Sequence, residues 1–347
     1  MNDSSKTINI STSTILKIIL IILLLIFLYL IRDVIIIFLF ALIIASAIAP
    51  AVNLLEKIKI PRVFGALIVY VIVIGLLAFL ISLIVPTVAR DVKNLASNLP
   101  NYIEKLSDKF ESLKQASTKY QDIIEKIQNS LSGVGEFLRS KGSNLLSTLF
   151  GVFGGVFSFL LILVISFYLS VLKKGVQRVL TALIPIQHRD YILDLWERAQ
   201  KKLGRWLQGQ LFLGLVVGVM VYAGLHLLNV KFALLLAVFA GIMEIFPYIG
   251  PVIAGIPAVI IGFLQAPLLG LWVLVLYVVI QQIENYLIVP LVIGKVVGLN
   301  PIIIIMALLI GGKLGGIFGM ILAVPLTAVF AEFLKDMLRK RKEEEKW

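Results

Sequence analysis

Cysteine is absent from this chain of 347 residues, so it can build neither a disulfide framework nor a thiolate metal site, and its redox compartment leaves no trace in the sequence. Histidine is nearly absent as well. His188 and His226 are far apart, neither stands in a metal-ligand spacing such as HExxH, and His188 reads as a solvated loop residue. There is no GxSxG and no phosphate-cradling P-loop, so no catalytic reading competes, no cofactor is implied, and an ATP-driven pump would need a partner subunit. Charge is scarce too, at 15% of residues, against 60% that are hydrophobic and a mean hydropathy of +1.02. Several apolar runs approach or exceed the ~20 residues that cross a ~30 Å hydrocarbon core, so the class is an all-α polytopic membrane protein with the lipid bilayer as its first partner. The net charge of +12 would suggest nucleic acid in a soluble protein. Here it is explained by basic loops that orient the chain, and no nucleic-acid partner is expected.

The spans are read as follows. Ile15 to Ile31 is the first and Val34 to Leu55 the second, with Arg32 and Asp33 at a tight connection. One continuous helix through both would be about 60 Å long, twice the hydrocarbon thickness. No signal-peptide cleavage pattern follows the first run, so it is expected to be retained. Val63 to Val85 is a third span, ended by Pro86. Composition then changes: Arg90 to Lys141 carries nine cations and seven anions. Leu95, Leu99, Tyr102, Leu106, Phe110 and Leu113, then Ile123, Ile124, Ile127 and Leu131, recur at the spacing of amphipathic helices. This is a water-exposed helical domain with a structural or partner-binding role. Leu145 to Leu172 is the fourth span, and Lys173 to Arg205 follows with eight cations and three anions, its apolar residues suiting helices at the interface. Leu211 to Leu228 is the fifth span, and Leu268 to Val289 the sixth.

Basic loops stay cytoplasmic. With the amino terminus inside, Glu56 to Arg62 and Lys173 to Arg205 fall inside and the balanced segment falls outside, in an inner cell membrane. The basic tail from Lys335 to Lys342 should be inside as well. The expected divisions are residues 1–87 (three spans), 88–144 (extracytoplasmic helices), 145–172 (fourth span), 173–208 (cytoplasmic amphipathic helices), 209–333 (core) and 334–347 (tail).

Inside 209–333 two stretches share a plan: Leu-Asn, an apolar arm, a Gly/Pro break with one charged residue, then a second arm containing proline. In the first the break is Pro247, Gly250 and Pro251 beside Glu244, with Pro257 beyond. In the second it is Gly311, Gly312, Gly315 and Gly316 around Lys313, with Pro325 beyond. Asn229 and Asn300 are 71 positions apart and each broken stretch follows an ordinary span, so this is an internal repeat. The arms fall short of a full crossing, which favours two re-entrant hairpins of inverted topology, giving about six full spans, or eight by hydropathy alone. Such paired, interrupted segments point to a transport site near the midplane; ordinary helices kinked by Gly and Pro are the alternative.

Intramembrane ionisable groups are costly and therefore candidates for function: Glu244, Glu284 and Lys313. The two break tips could bring Glu244 and Lys313 together. Gln281, Glu284 and Asn285 share one helix face, with Pro290 freeing carbonyls below, and such a face either lines a path for a hydroxylated solute or monovalent cation or glues helices together. Lys295 reads as a snorkelling anchor, and Trp196, Trp206, Tyr222 and Trp272 as interface or core residues. Gly214 and Gly218, on one helix face, leave room for close contact with another copy of the chain.

"RWLQGQ" before the fifth span, "EIFPYIGPVIAGIPA", "QQIENYLIVPLVIGKVVGLNP" and "GGKLGGIFGMILAVPLTA" together resemble the autoinducer-2 exporter family of membrane proteins. The resemblance is dense from Arg205 to Phe330 and extends over most of the chain. The family's prolines, glycines and asparagine match at Pro247, Gly250, Pro257, Asn285, Pro290, Gly294, Pro301, Gly315, Gly319 and Pro325. It implies secondary transport, with some members linked to export of the quorum-sensing signal autoinducer-2 and others to sodium-proton exchange. A non-transporting scaffold that recruits partners through residues 90–141 is the reading from another class.

Overall fold

A computed structural model describes residues 12–114, 155–172, 175–292 and 300–344. The described residues are helical throughout, without strands. In order they form α1 (Thr12–Leu30), α2 (Arg32–Lys57), α3 (Arg62–Lys114), α4 (Val156–Val171), α5 (Gly175–Leu183), α6 (Arg189–Leu227), α7 (Ala233–Met243), α8 (Ile249–Gln265), α9 (Pro267–Ile283) and α10 (Pro301–Glu344). Between α9 and α10, a π-helical turn (Glu284–Ile288) leads into one further α-turn (Val289–Val292). Among the described residues, six helices are long and apolar enough to cross a membrane, as expected where every backbone group must be satisfied internally. The start of the fourth span, Ile123 to Leu131, and Gly294 and Lys295 lie outside the described residues.

Burial runs opposite to a soluble protein. Leucines, isoleucines and phenylalanines along α1, α3 and α6 are exposed, while the interior mixes alanines and glycines with leucines, valines and a few polar groups, the small residues allowing the close packing that membrane bundles use. The central post is α6. One half of it (Val217, Val221, Leu225) packs with α7, α8 and α9 through Leu236, Ala237, Ala254, Ala258, Val273 and Ile280. The other half (Leu203, Trp206) packs with Leu42 and Ile43 of α2 and with Ile304, Leu308, Leu322 and Val324 of α10.

Several boundaries differ from the sequence reading. Helix α3 does not end at Pro86 but runs on to Lys114, because a proline removes one hydrogen bond without obliging the chain to turn when both flanks favour helix. The interfacial segment is not separate from the fifth span: from Arg189 both belong to α6, 39 residues long. The tight connection at Arg32 and Asp33 is also absent. Both residues sit in the first turn of α2. Helical hydrogen bonds flank the single break at Ile31, from Ile31 N to Phe27 O and from Ile35 N to Ile31 O, both 3.0 Å. No glycine, proline or asparagine supplies a turn there, and α1 buries no residue against the body. Gly214 and Gly218 are occupied within the chain: a Cβ at Gly214 would stand 2.5 Å from Gly241 O of α7, and one at Gly218 3.4 Å from Ala237 O.

Candidate functional site

Both interrupted stretches break where their glycines and prolines stand. In the first, α7 stops at Met243 and α8 begins at Ile249, leaving Glu244 to Tyr248, with Pro247 among them, as the break. Tyr248 takes φ +66, a left-handed conformation that costs a bulky residue energy and so marks a constrained turn. Gly250 makes the reversal possible. A Cβ there would lie 1.9 Å from Met243 O, closer than any side chain tolerates, so only glycine lets the second arm start this near the first. Pro251 falls in the first turn of α8, where its missing N–H leaves no partner idle, and Pro257 lies inside the arm.

In the second unit, helical geometry fails at Gly315 and Gly316, the latter at φ +59. The arms on either side touch backbone to backbone: a Cβ on Gly311 would be 2.3 Å from Gly319 O. Gly312 faces Met320, Gly315 faces Ile36 of α2, and Pro325 lies buried in the return arm. Asn300 caps the first arm, its Oδ1 accepting from Ile302 N at 2.9 Å, whereas Asn229 instead adopts φ +54 in the turn after α6.

The charges do not meet as the sequence suggested. Lys313 is exposed and in no ion pair among the described residues. Glu244, only 2% exposed, faces Glu284, 6% exposed, the two carboxyls within hydrogen-bonding reach. Helix rotation decides this, because Glu244 closes the α7 arm on its inner side while Lys313 precedes the break on an outer one. Around the carboxyls the polar groups are arranged. Gln281 Nε2 donates to Glu284 Oε2 at 3.1 Å and to Asn285 Oδ1 at 3.4 Å, while Gln282 is exposed. From α6, Gln210 Nε2 donates to the Glu244 carbonyl. Glu244 Oε2 and Gln210 Oε1 are buried without a protein partner among the described residues.

Glu284 also opens the π-helical turn, in which Val289 N–H reaches back five residues to Glu284 O. Widened turns of this kind are frequent at functional sites, and Pro290, one residue further, cannot donate an N–H to restore the regular ladder. Gln210 escapes a sequence reading as a site residue; the signal for it is a second amide two residues after Gln208 at the mouth of an apolar span. A buried Tyr70–Ser170 contact of 3.2 Å, with Ser170 Oγ donating to Ser166 O at 2.9 Å, escapes it also, since serines in an apolar helix look unremarkable.

Fold and site define an α-helical polytopic membrane protein with a buried acidic pair between a broken hairpin and a widened span. Residues 18–339 match the model of the AI-2E family transporters, and the chain belongs to that family. YueF of Bacillus subtilis is 35% identical over 300 residues, covering 84% of this chain and 80% of YueF. YrrI of the same organism is 25% identical (90% and 89% covered), and YhhT of Escherichia coli 29% identical (86% and 83%); all three are named as candidate transport proteins.

Proposed function

We propose that this chain is a secondary transporter of a small polar solute, with an autoinducer-2-like signal as the exported substrate. The observation that carries the reading is the Glu244–Glu284 pair, buried at the break of one repeat unit and surrounded by Gln210, Gln281 and Asn285. Two carboxyls in contact need a proton or a monovalent cation between them. Loading and emptying that position changes the charge of the site, which is what an ion gradient needs in order to drive a solute. The amides beside it suit hydroxyl groups, and the two hairpins, re-entrant from opposite sides, supply the inverted halves of an alternating-access core.

The test is solute efflux from proteoliposomes under imposed proton or sodium gradients. Gradient-driven flux of autoinducer-2 or a related polyol, lost in Glu284→Gln, is the expected result. Cation–proton antiport without an organic solute is the second reading, favoured by the same acidic pair and the unmet Glu244 Oε2. It would appear as sodium-driven movement of protons in the absence of solute. If neither flux rises above that of empty liposomes, the transport reading falls and the scaffold is left.

A further inference from the structure

A second polar site lies along the amino-terminal half of α6, where that helix packs on α2. A cavity of about 410 Å³ opens there among α2, α4, α6 and the first turns of α3 and α5, lined by Ser46, Asn53, Arg62, Gln200, Arg205 and Gln208 together with apolar groups such as Trp196 and Leu169. Its volume falls in the range of small-ligand pockets. The backbones of α6 and α2 approach most closely at Gly204, where a Cβ would lie 2.4 Å from Ser46 O, and the cavity opens beside that approach. Pro50 has no N–H to give to that Ser46 carbonyl.

The charges lining the cavity are unevenly satisfied. Arg62 is charge-paired and bonded, through Nη1 to Asn53 Oδ1 at 2.8 Å and Glu56 Oε2 at 2.9 Å, and through Nε to Ser170 O at 2.8 Å. Lys201 pairs with Glu197 at 2.7 Å on the rim. Arg205 has no hydrogen-bond or ion-pair partner among the described residues, nor does the amide of Gln200. Asn53 uses only its oxygen, leaving its amide N–H groups free. The wall therefore offers one uncompensated guanidinium and several neutral donors, which is the complement of an oxyanion with several acceptor oxygens. The site is distinct from the acidic pair, since none of Gln210, Glu244 and Glu284 lines it.

We propose that this cavity binds a phosphate ester, with Arg205 as its charge partner and Asn53 and Gln200 as hydrogen-bond donors. The phosphate comes either from an anionic phospholipid headgroup, which basic pockets between spans accept, or from a free phosphorylated solute. Thermal unfolding of the purified full chain in a neutral detergent distinguishes the sources. The ligands are inorganic phosphate, glycerol 3-phosphate and phosphatidylglycerol, with glycerol and diacylglycerol as their phosphate-free counterparts. At least one phosphate-bearing ligand is expected to raise the melting temperature saturably where its counterpart does not. Arg205→Gln should weaken its apparent affinity about tenfold or more, as loss of a charged hydrogen bond does, and Arg205→Lys should recover part of it. Saturation by glycerol 3-phosphate identifies a free ester; a response confined to phosphatidylglycerol identifies the lipid. Arg205 is exposed and unpartnered, so its variants should fold, and their own melting temperatures without ligand show whether they do. Equal shifts with phosphate-free ligands, no shift with any phosphate-bearing ligand, or undiminished affinity in Arg205→Gln would each overturn the proposal.

Discussion

At the scale of single residues, the cost of burying a charge makes Glu244 and Glu284 legible in the sequence, and the i, i+3, i+4 spacing by itself places Gln281 and Asn285 beside Glu284. What is not legible is which charge faces which. That depends on the rotation of α7 against α6, set by close approaches such as Gly214 to Gly241 O, and no one-dimensional pattern encodes a contact between distant helices. The pairing of two carboxyls makes a different prediction from the one a Lys313 partner would make. If Glu244 opposed a cation, Glu244→Gln would strand that cation and destabilise the fold. Opposed to Glu284, the new amide donates to the remaining carboxyl and removes a like-charge contact. Glu244→Gln and Glu284→Gln should therefore each abolish gradient-driven flux without lowering the melting temperature. Their effects on stability should depart from additivity by ~1 kcal/mol, as contacting residues do. Lys313→Met, at an exposed position, should leave stability within ~0.5 kcal/mol of the parent. A large loss of stability in Glu244→Gln, together with additivity, would refute the carboxyl contact.

At the scale of elements, the positions of the spans are readable because apolar content over ~20 residues is a strong signal, and the breaks are readable because glycine and proline act locally. The ends are not. Helix α6 continues from its amphipathic part into its apolar part with nothing in the backbone to mark the change of solvent, and α3 does the same in the opposite direction. The continuity of α6 has a mechanical consequence. Its polar end is tied to the return arm of α10 by Arg198, which meets Glu332 at 3.0 Å and Asp336 at 2.5 Å as well as Asp194 at 2.9 Å in its own helix, and by Lys202, which also meets Glu332. Its middle holds the first hairpin through Gln210. Helix α6 thus touches the first break and the return arm of the second hairpin. The side chains of Arg198 and Lys202 keep about a quarter to a third of their surface in solvent, so the tie should be modest and sensitive to salt. A double-mutant cycle of Arg198→Ala with Asp336→Ala, read by thermal unfolding in detergent at low salt, should give a coupling of ~0.5–1 kcal/mol that shrinks in high salt. Strict additivity at low salt would show that these groups do not hold the two helices together.

At the scale of the whole molecule, orientation follows from counting crossings, and the count between Lys201 and Lys342 does not depend on how α1 leaves the body. From Lys201, α6 crosses once and brings the turn at Asn229 to the far side. Leu95 of α3 packs against Val230 and Ala233 there, so the helix that leads into the charged segment 90–141 rises at that same end. The first hairpin, α7 and α8, returns to the side it started from if it is re-entrant, and α9 with its π-helical turn crosses back. The remaining question is whether α10, 44 residues long, crosses or returns. Its length alone would allow a crossing. Its backbone argues otherwise, because the arms before and after Gly315 and Gly316 touch through Gly311 and Gly319, a contact that a straight helix cannot make. The tail and Lys201 should therefore lie on one side, and the excess of lysine and arginine at both argues that this side is the cytoplasm. The chain has no cysteine of its own, so single cysteines give a clean readout with a membrane-impermeant maleimide. Lys201→Cys and Lys342→Cys should label only when the inner face is opened, and Ser117→Cys in sealed cells. Labelling of Lys342→Cys from outside, with Lys201→Cys still protected, would mean that an odd number of segments cross between them. In that case one hairpin spans the membrane, the two units are no longer inverted copies, and the alternating-access core proposed from them would have to be abandoned.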